Sequence, residues 1–520
     1  MGSAKPLGSI LRANAQAKPD EPALLSESLC LTWAELDARV DRFAALLQRC
    51  GVRPGDVVGA MITKRPEALM VFLAVARLGA IYAPVNFKLH PDHIRNQFRT
   101  ADIQTVLTES QFDSQLMWVL PFLPDPNRVI YVGGPGKHGA THTDMAAGLV
   151  PPLQWPDVHP DAACYYNYTS GTTGAPKGAV ATHRNIISNG EATIAGMGMR
   201  ADDVYLGMFS VFAHPHELFH RALILGSPFV VLDTMSPRVV AAAVERFQVR
   251  WMMAVPSFYE LMLDYVDSGA DGDRYNLSSL RVLEAGGAYV GKEAMSRMEA
   301  RFSARFVPVW GSTETTGVTI ANGPDERREG SMGRALPGYA VRVVNEEGDE
   351  VIAGDVGEMI LRGPAVTEGY INNADETAIM YRDGWYYSQD LVTRDESGWF
   401  HFIGRKSEML KIGGIRVSPL EIEMVIKGHP DVREVVVVRA EERIRGEVAR
   451  AVVSVQPSSG LGARDLQAYC RDRLAVYKVP RIVEFWAEVP KMPNGKVDKG
   501  AILAVSPDPA RDDRVQSDAV

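Results

Sequence analysis

Segments with helical spacing and segments with strand-like composition alternate along the first half of the chain. Thr32 and Glu35 in T-W-A-E have the spacing of a helix capping box, and apolar residues follow at helical spacing. Residues 56–63 (D-V-V-G-A-M-I-T) then predict a strand, and residues 66–78 predict a second helix. This alternation predicts an α/β fold in which helices cover the faces of a sheet.

Two later strands carry the predicted ligand-binding edge of this fold. Residues 281–285 and 305–310 have strand-like composition, and each runs into a Gly-rich or polar loop. In open α/β sheets, ligands bind where the carboxyl ends of strands meet such loops. The loops after these two strands are therefore candidate ligand-binding segments.

The chain is too long for a single hydrophobic core, and its character changes in the second half. A protein of 520 residues is expected to contain at least two domains. From about Gly333 the pattern becomes all-β, with a predicted hairpin at residues 341–351, and after Gly404 it restarts as a small α+β unit. We predict a large N-terminal α/β domain with a small β-barrel-like section over residues 1–404, a small α+β domain over 405–505, and a disordered tail over 506–520.

The composition excludes several classes of partner. The formal net charge is -9 and no dense basic stripe is present, which argues against binding to nucleic acid or to an anionic membrane. No segment has the length and apolarity of a membrane span, and the N-terminus lacks the apolar core of a signal peptide. The cysteines contain no C-x-x-C pair, so neither a disulfide framework nor a structural zinc site is expected, and a reducing cytoplasm fits.

Hydroxyl residues, glycines and one lysine are concentrated in T-S-G-T-T-G-A-P-K-G at residues 169–178. Glycine allows backbone N–H groups to approach an anion, the hydroxyls add donors, and the lysine adds a positive charge. This is what a triphosphate needs. The segment is not a Walker loop, because Pro176 precedes the lysine and Gly178 follows it where Ser or Thr is required. The predicted ATP-binding residues of this loop are Thr169, Ser170, Gly171, Thr172, Thr173 and Lys177.

With this loop, the sequence resembles the adenylate-forming superfamily, which includes acyl-CoA synthetases, carrier-protein adenylation domains and firefly luciferase. The resemblance extends over about residues 31–503, includes T-H-R-N at residues 182–185, and is closest to carboxylic acid–CoA ligases. It implies that a carboxylate attacks the α-phosphate of ATP, that pyrophosphate leaves, and that the acyl-AMP passes its acyl group to CoA. ATP, Mg²⁺ and CoA are the implied cofactors.

Two further family motifs follow the strands predicted at residues 281–285 and 305–310. E-A-G-G-A resembles the family's adenine-side loop, and W-G-S-T-E resembles its Y-G-x-T-E motif with tryptophan in place of tyrosine. By resemblance, Thr313 bonds the α-phosphate and Glu314 holds Mg²⁺, which agrees with the one or two protein carboxylates that this cation takes. The other ATP-binding residues implied by these motifs are Gly286, Gly287, Ala288, Trp310, Gly311 and Ser312.

A ribose-binding motif lies in the second half of the chain. D-G-W-Y-Y-S-Q-D at residues 383–390 matches the family's G-W-x-x-T-G-D, with Ser388 in place of Thr and Gln389 in place of Gly. By resemblance, Asp390 accepts both ribose hydroxyls. The glycine replacement bears on the local backbone turn, whereas the carboxylate keeps its place.

The family's hinge and its closing lysine motif come last. In F-I-G-R-K-S-E-M-L-K-I-G-G-I-R, Arg405 is implied to reach the ribose or α-phosphate, and the small domain is implied to pivot at residues 406–408. Gly413 and Gly414 fall where CoA ligases line the pantetheine tunnel, a place where side chains would obstruct a thiol arm. Lys496 is implied to be the adenylation lysine, which bridges carboxylate and α-phosphate oxygens.

The acyl pocket is implied to border the segment S-V-F-A-H at residues 210–214. His214, Ala285 and Gly317 are the predicted lining residues. The acid is not readable from the sequence, because medium-chain, aromatic and alicyclic acids all fit the pattern.

Two short patterns suggest other chemistry. His216 and His220 belong to H-E-L-F-H, which spells the zincin motif H-E-x-x-H, but no partner motif for a third ligand is evident. G-P-G-K-H-G at residues 134–139 spells a dinucleotide-binding pattern without a convincing helix after it, so a surface loop is predicted.

We therefore predict an enzyme of fatty or aromatic acid metabolism, an ATP-dependent carboxylic acid–CoA ligase acting on a small-molecule acid and CoA. The nearest alternative is a stand-alone adenylating enzyme that loads a separate carrier protein. A zinc metallopeptidase that uses His216 and His220 is the remote alternative. The oligomeric state is open, and a homodimer is compatible with the sequence.

Overall fold

A computed structural model describes residues 5–125, 128–139, 141–152, 154–168, 177–268, 274–287, 290–323, 326–442, 446–456, 459–492 and 497–511. The chain divides into two compact units. The first contains Met1–Val341 and Leu361–Tyr387, and the second contains Arg342–Ile360 and Ser388–Val520. The domain boundary predicted at residue 404 stays a prediction.

The described helices are α1 (Leu7–Ala17), α2 (Trp33–Arg49), α3 (Pro66–Arg77), α4 (Pro91–Thr100), α5 (Asp113–Leu116), α6 (His183–Met197), α7 (His220–Leu225), α8 (Pro237–Phe247), α9 (Pro256–Asp267), α10 (Lys292–Phe302), α11 (Ala374–Met380), α12 (Pro419–Lys427), α13 (Ala463–Arg471) and α14 (Lys499–Ala504).

The described strands are β1 (Pro22–Leu25), β2 (Cys30–Thr32), β3 (Val57–Met61), β4 (Ile81–Pro84), β5 (Thr105–Thr108), β6 (Val129–Tyr131), β7 (Ala163–Tyr168), β8 (Gly178–Thr182), β9 (Tyr205–Gly207), β10 (Phe229–Val230), β11 (Trp251–Ala254), β12 (Val282–Gly286), β13 (Arg305–Ser312), β14 (Gly317–Ala321), β15 (Arg334–Ala335), β16 (Ala340–Val344), β17 (Val356–Arg362), β18 (Tyr381–Arg382), β19 (Trp385–Arg394), β20 (Phe400–Arg405), β21 (Leu410–Ile412), β22 (Ile415–Val417), β23 (Val432–Glu442), β24 (Gly446–Val455) and β25 (Ile482–Phe485).

Two largely parallel sheets form the first unit. One has the order β15-β14-β13-β12-β11-β9-β10-β1-β2 within the described residues, and the strands from β13 to β1 are parallel. The other has the order β6-β5-β3-β4-β7-β8 and is parallel except for the last pair. The predicted α/β class is confirmed. No described helix is long and apolar enough to cross a membrane.

The core of the first unit explains the most apolar stretch of the sequence. Helix α3 is buried on every side from Ala68 to Arg77, as expected of a helix that is apolar all round. Its residues share one hydrophobic cluster with helix α2 and with strands of both sheets. Helix α2 begins at the predicted capping box, in which Thr32 Oγ1 accepts from the Glu35 amide at 3.3 Å and Glu35 Oε2 accepts from the Thr32 amide at 2.9 Å.

The second unit has its own small core. Strands β23, β24 and β25 form a sheet in that order, and helices α12 and α13 contribute to the hydrophobic cluster on it. The two strands β23 and β24 and the helices beside them agree with the small α+β unit predicted after Gly404. Part of the predicted tail is described: the amide of Asp508 donates to Glu484 Oε1 at 2.8 Å. Residues 512–520 lie outside the described residues.

A further sheet has the order β16-β17-β19-β18 within the described residues, and β20 also pairs with β19. The predicted hairpin at 341–351 is confirmed by the bridge between Val344 and Glu350. The dinucleotide-like pattern at 134–139 contains no helix or strand, as the sequence predicts.

Candidate functional site

The predicted adenine-side loop follows the carboxyl end of a buried parallel strand. Strand β12 pairs with β13, with Gly286 opposite Val309. Ala285 is buried within β12, and Gly287 just after it has φ of 89°, a left-handed conformation that glycine adopts without strain. Ala288 lies outside the described residues. The strand therefore ends where the sequence predicted a ligand loop.

W-G-S-T-E forms the end of β13 and the tight connection into antiparallel β14. A Cβ on Gly311 would lie 2.3 Å from the carbonyl oxygen of Gly317, so only glycine fits there. The turn closes where the amide of Thr316 donates to the carbonyl of Thr313 at 3.2 Å. Thr313 and Glu314 are both buried. The other predicted residues of this motif, Trp310 and Ser312, lie at the end of the same strand.

Glu314 accepts hydrogen bonds from two tyrosine hydroxyls. Tyr370 Oη donates to Glu314 Oε1 at 2.7 Å, and Tyr386 Oη donates to Oε2 at 3.1 Å. Burial and the nearby carboxylate raise the pKa of both tyrosines, so both hydroxyls remain donors. Each carboxylate oxygen keeps a further lone pair. A buried, hard oxygen donor of this kind fits a magnesium ion.

Residues 369–376 bring the end of the phosphate loop to the same region. The amide of Ile371 donates to the carbonyl of Gly178 at 2.8 Å, next to Tyr370. Lys177 Nζ is paired with Glu376, which lies in the first turn of α11. The loop's lysine and the carboxylate of Glu314 are therefore both attached to one short segment.

Strands β7 and β8 lie on either side of the predicted phosphate loop in the sequence. They are antiparallel, with Tyr168 opposite Gly178, at the edge of an otherwise parallel sheet. The predicted residues Thr169, Ser170, Gly171, Thr172 and Thr173 lie outside the described residues.

The predicted ribose residue belongs to the second unit. Asp390 is buried and lies opposite Arg405 in the β19–β20 ladder, with Arg405 Nε 3.1 Å from Asp390 Oδ1. Gln389 has φ of 62°, the left-handed conformation, although it replaces the family's glycine. Its backbone amide and its Nε2 both donate to Glu358 Oε1, at 3.2 and 3.0 Å. Lys406 Nζ lies 3.0 Å from the other oxygen of Glu358.

The two glycines predicted to contact CoA form a tight hairpin. Gly413 and Gly414 connect β21 to β22 with φ of 59° and 83°, the pattern of a two-residue type I′ turn. This turn alone accounts for the glycines, and the CoA contact stays a prediction. Lys496 lies outside the described residues, and Lys491 and Val497 on either side of it form an antiparallel bridge.

The H-E-x-x-H segment is part of a buried hydrogen-bond network. It folds as a 3-10 turn, Pro215–Leu218, followed by α7, and the potential ligand atoms of His216, Glu217 and His220 lie within 4.8 Å of one another. However, His216 Nδ1 is 2.8 Å from the hydroxyl of Tyr165, and its Nε2 is 3.0 Å from a backbone carbonyl. His220 Nδ1 is likewise 3.0 Å from a carbonyl. Burial lowers the pKa of His216 to about 3.

The glutamate of this segment is also engaged. Arg221 is completely buried and bridges Glu217, at 2.7 Å, and Glu284, at 2.6 Å. Trp251 Nε1 donates to Glu284 at 2.8 Å. The zinc metallopeptidase alternative is not supported, because the two histidines and the glutamate that it requires are engaged in hydrogen bonds and an ion pair within a packed polar core.

The three predicted acyl-pocket residues border this polar core. His214 has φ of 55°, and its Nδ1 lies 3.2 Å from Asn167 Nδ2. A Cβ on Gly317 would lie 2.2 Å from Glu217 Oε1, so the glycine permits close packing against the network. Ala285 follows Glu284 on β12. The structure places all three residues in the first unit, and their contact with an acyl group stays a prediction.

Sequence reasoning missed three residues of the site. Tyr370, Glu376 and Tyr386 contact Lys177 or Glu314, and none of them was selected as functional. Tyr386 falls on an unspecified position of G-W-x-x-T-G-D, and the other two belong to no motif. Only their proximity in the folded chain identifies them.

Motifs for nucleotide binding follow strands β12 and β13 of the first unit, and the second unit has its own small core. This combination is typical of an adenylate-forming enzyme. A model of the family "AMP-binding enzyme" matches residues 11–371, and a model of the "AMP-binding enzyme C-terminal domain" matches residues 421–496. The chain belongs to the AMP-binding enzyme family, and the predicted superfamily is confirmed.

Relatives of the chain are acid–CoA ligases. A feruloyl-CoA synthase from Amycolatopsis sp is 32% identical over 510 residues, which cover 95% of this chain and 98% of the relative. An indoleacetate–CoA ligase from Aromatoleum aromaticum is 30% identical, with coverage of 95% and 96%. The ATP-bound structure of MatB from Rhodopseudomonas palustris is similar with a TM-score of 0.84 and 27% identity, and it covers 95% of this chain and 98% of its own.

Proposed function

We propose that this protein is an ATP-dependent carboxylic acid–CoA ligase that proceeds through an acyl-adenylate. The proposal rests on one observation: the side chains of Lys177 and Glu314 both bond to residues of the segment 369–376. This segment pairs with the strand that follows the hydroxyl and glycine loop, and its Tyr370 bonds Glu314. A nucleotide triphosphate needs a cationic donor and a metal-binding carboxylate close together, and the fold supplies both in one unit.

In the first half-reaction, an oxygen of the substrate carboxylate bonds to the α-phosphorus of ATP, and the bond to the bridging oxygen of pyrophosphate breaks. The hydroxyls of residues 169–173 and the Lys177 ammonium bind the phosphates, and Lys496 bridges the carboxylate and the α-phosphate. Thr313 donates to the α-phosphate. Mg²⁺, when bound at Glu314, offsets negative charge on the phosphate oxygens.

In the second half-reaction, the CoA thiolate bonds to the acyl carbon and AMP leaves with the bonding electrons. Asp390 accepts the ribose hydroxyls, and Arg405 beside it contacts the ribose or the phosphate. Rotation of a lid domain about residues 406–408 exchanges Lys496 for the Gly413–Gly414 turn between the two steps, a conformational gate of a known type.

An aromatic or fatty acid is the proposed substrate. The segment that leads to His214 contains two aromatic rings with ring neighbours: Phe212 lies 5.7 Å from Phe87 and Phe209 lies 6.3 Å from His214, between centroids. Rings in such positions favour a planar or apolar acyl group. Relatives named for feruloyl, indoleacetate and long-chain fatty acyl groups support this class.

Three further features remain part of the proposal. Mg²⁺ is the proposed metal, because the carboxylate of Glu314 supplies the hard oxygen ligand that this cation prefers. A cytoplasmic location is proposed because all four cysteines are free thiols. A homodimer is the proposed assembly, since it is compatible with the sequence.

The deciding experiment measures pyrophosphate and AMP release with Mg-ATP across aromatic, indole and fatty acids, with and without CoA. Lys496→Ala is compared with wild type, and Lys292→Ala serves as the control because Lys292 forms an exposed ion pair with Glu329. We expect acid-dependent release, faster with CoA, that yields a thioester and falls by about a hundredfold or more in Lys496→Ala alone.

Two other outcomes would change the assignment. Pyrophosphate release that is not accelerated by CoA, together with transfer of the acyl group to a separate carrier protein, would favour the adenylating enzyme that loads such a partner. No release with any acid would contradict the adenylation chemistry itself.

A further inference from the structure

Two tyrosine hydroxyls hold the carboxylate of Glu314. Its two carboxylate oxygens accept from Tyr370 at 2.7 Å and from Tyr386 at 3.1 Å, and its backbone carbonyl accepts from the amide of Thr367 at 2.8 Å. Among the described residues, no lysine, arginine or histidine is ion-paired with Glu314. The carboxylate is therefore buried, and the partners that orient it among the described residues are neutral hydroxyls.

This arrangement suits a carboxylate that must bind a metal ion. An ionised carboxylate has about four acceptor positions, and the tyrosines use one on each oxygen. An arginine partner would occupy both oxygens bidentately and offset the charge, whereas a phenol orients the group without neutralising it. Partners that orient a metal ligand typically contribute about 10- to 100-fold to metal affinity.

A third tyrosine provides an internal comparison. The Tyr381 ring packs between the other two, with centroids 5.9 Å from Tyr370 and 5.4 Å from Tyr386. Its hydroxyl, however, shares a hydrogen bond of 2.6 Å with Thr367 Oγ1. The three residues thus share one aromatic cluster, but only two of them reach the carboxylate.

We propose that Tyr370 and Tyr386 are positioning residues that hold the Glu314 carboxylate in the orientation in which it binds the divalent cation of the nucleotide complex. The inference rests on the proposed function, because that function supplies the nucleotide and the metal. The two hydroxyls come from separate segments, residues 369–371 and strand β19. The packing of both segments against Glu314 therefore sets the orientation of its carboxylate.

The test uses Tyr370→Phe and Tyr386→Phe, with Tyr381→Phe as the matched control and Glu314→Gln as the reference for loss of the ligand. The probe is Mn²⁺, with free ion measured by electron paramagnetic resonance in the presence of α,β-methylene-ATP. We expect each of the two Phe variants to weaken Mn²⁺ binding by about tenfold, and Tyr381→Phe to remain within about twofold of wild type. The Mg²⁺ concentration for half-maximal pyrophosphate release should rise by the same factor, with KM for the acid unchanged.

Other outcomes would overturn the inference. Wild-type Mn²⁺ affinity in Tyr370→Phe and Tyr386→Phe, or an equal loss in Tyr381→Phe, would assign the cluster a packing role. Wild-type Mn²⁺ affinity in Glu314→Gln would show that the metal does not bind to this carboxylate. Either result is distinguishable from failure of the proposed function, because wild-type protein would still release pyrophosphate. Each Phe variant carries the test alone if the other does not fold.

Discussion

Gln389 occupies a backbone conformation that side chains other than glycine adopt at a cost. Its φ of 62° is left-handed, and the family's motif has glycine at this position. The cost is offset locally, because the backbone amide and Nε2 of Gln389 both donate to Glu358. Lys406 bonds the same carboxylate and also donates its amide to the Gln389 carbonyl at 2.8 Å. The glutamine thus keeps the turn before Asp390 that the sequence left in question.

Gln389→Ala and Gln389→Gly should separate these two effects. Both remove the side-chain hydrogen bond, but only glycine adopts the conformation without strain. We expect the alanine variant to have a free energy of unfolding lower than that of the glycine variant by about 1 kcal/mol. Urea unfolding of both variants under the same conditions measures the difference, and an alanine variant as stable as the glycine variant would refute it.

At the scale of elements, T-H-R-N is the start of α6 as well as a family motif. Thr182 Oγ1 accepts from the Asn185 amide at 3.0 Å, and Asn185 Oδ1 accepts from the Thr182 amide at 2.9 Å, which is a capping box. His183 is the first helical residue and is completely buried, and its Nδ1 accepts from the amide of Leu7 at the start of α1. The cap therefore places an ionisable ring in the core between two helices.

Burial of His183 should make stability depend on pH. Burial lowers the pKa of His183 from 6.5 to about 4, so below pH 6.5 the unfolded chain binds a proton that the folded chain excludes. The stability contributed by this neutral histidine is complete above pH 6.5 and is lost as pH falls toward 4. We expect His183→Asn to reduce the loss in unfolding free energy between pH 7 and pH 5 by about 2 kcal/mol.

Urea unfolding at the two pH values measures this change. His159→Gln is the control, because His159 is exposed. A pH dependence that is identical in wild type and His183→Asn would contradict the expectation.

At the scale of the whole molecule, each compact unit contains its own buried ion pair. In the second unit, Arg450 and Glu484 are almost completely buried and paired through Nε and Nη2, both at 2.9 Å, and Arg450 Nη1 also donates to the carbonyl of Val505 at 2.8 Å. In the first unit, Arg221 has the corresponding role between two glutamates. Each unit therefore depends on a charge balance inside its own core.

Arg450→Met should destabilise the second unit by about 3–5 kcal/mol, because it leaves the buried carboxylate of Glu484 without its cationic partner. For a unit of this size, the loss lowers a transition temperature by roughly 10 °C. Calorimetry should show one transition moving and the other unchanged. Arg433→Met is the control, since Arg433 is exposed on β23. A shift of both transitions by the same amount would show that the units unfold together.

The sequence by itself determined the features that are local in the chain. Periodicity indicated the α/β class, the caps located helix starts, and a motif placed Glu314 just after a strand, since these patterns depend on neighbours a few residues apart. Tertiary structure decided the contacts that span the chain. Tyr370 and Tyr386 reach Glu314 across 56 and 72 residues, and Glu376 reaches Lys177 across 199. The H-E-x-x-H pattern by itself indicates a possible metal site, whereas in the fold His216 bonds Tyr165 and Glu217 pairs with Arg221. Such pairings are set by how strands and loops pack, and no local spacing encodes them.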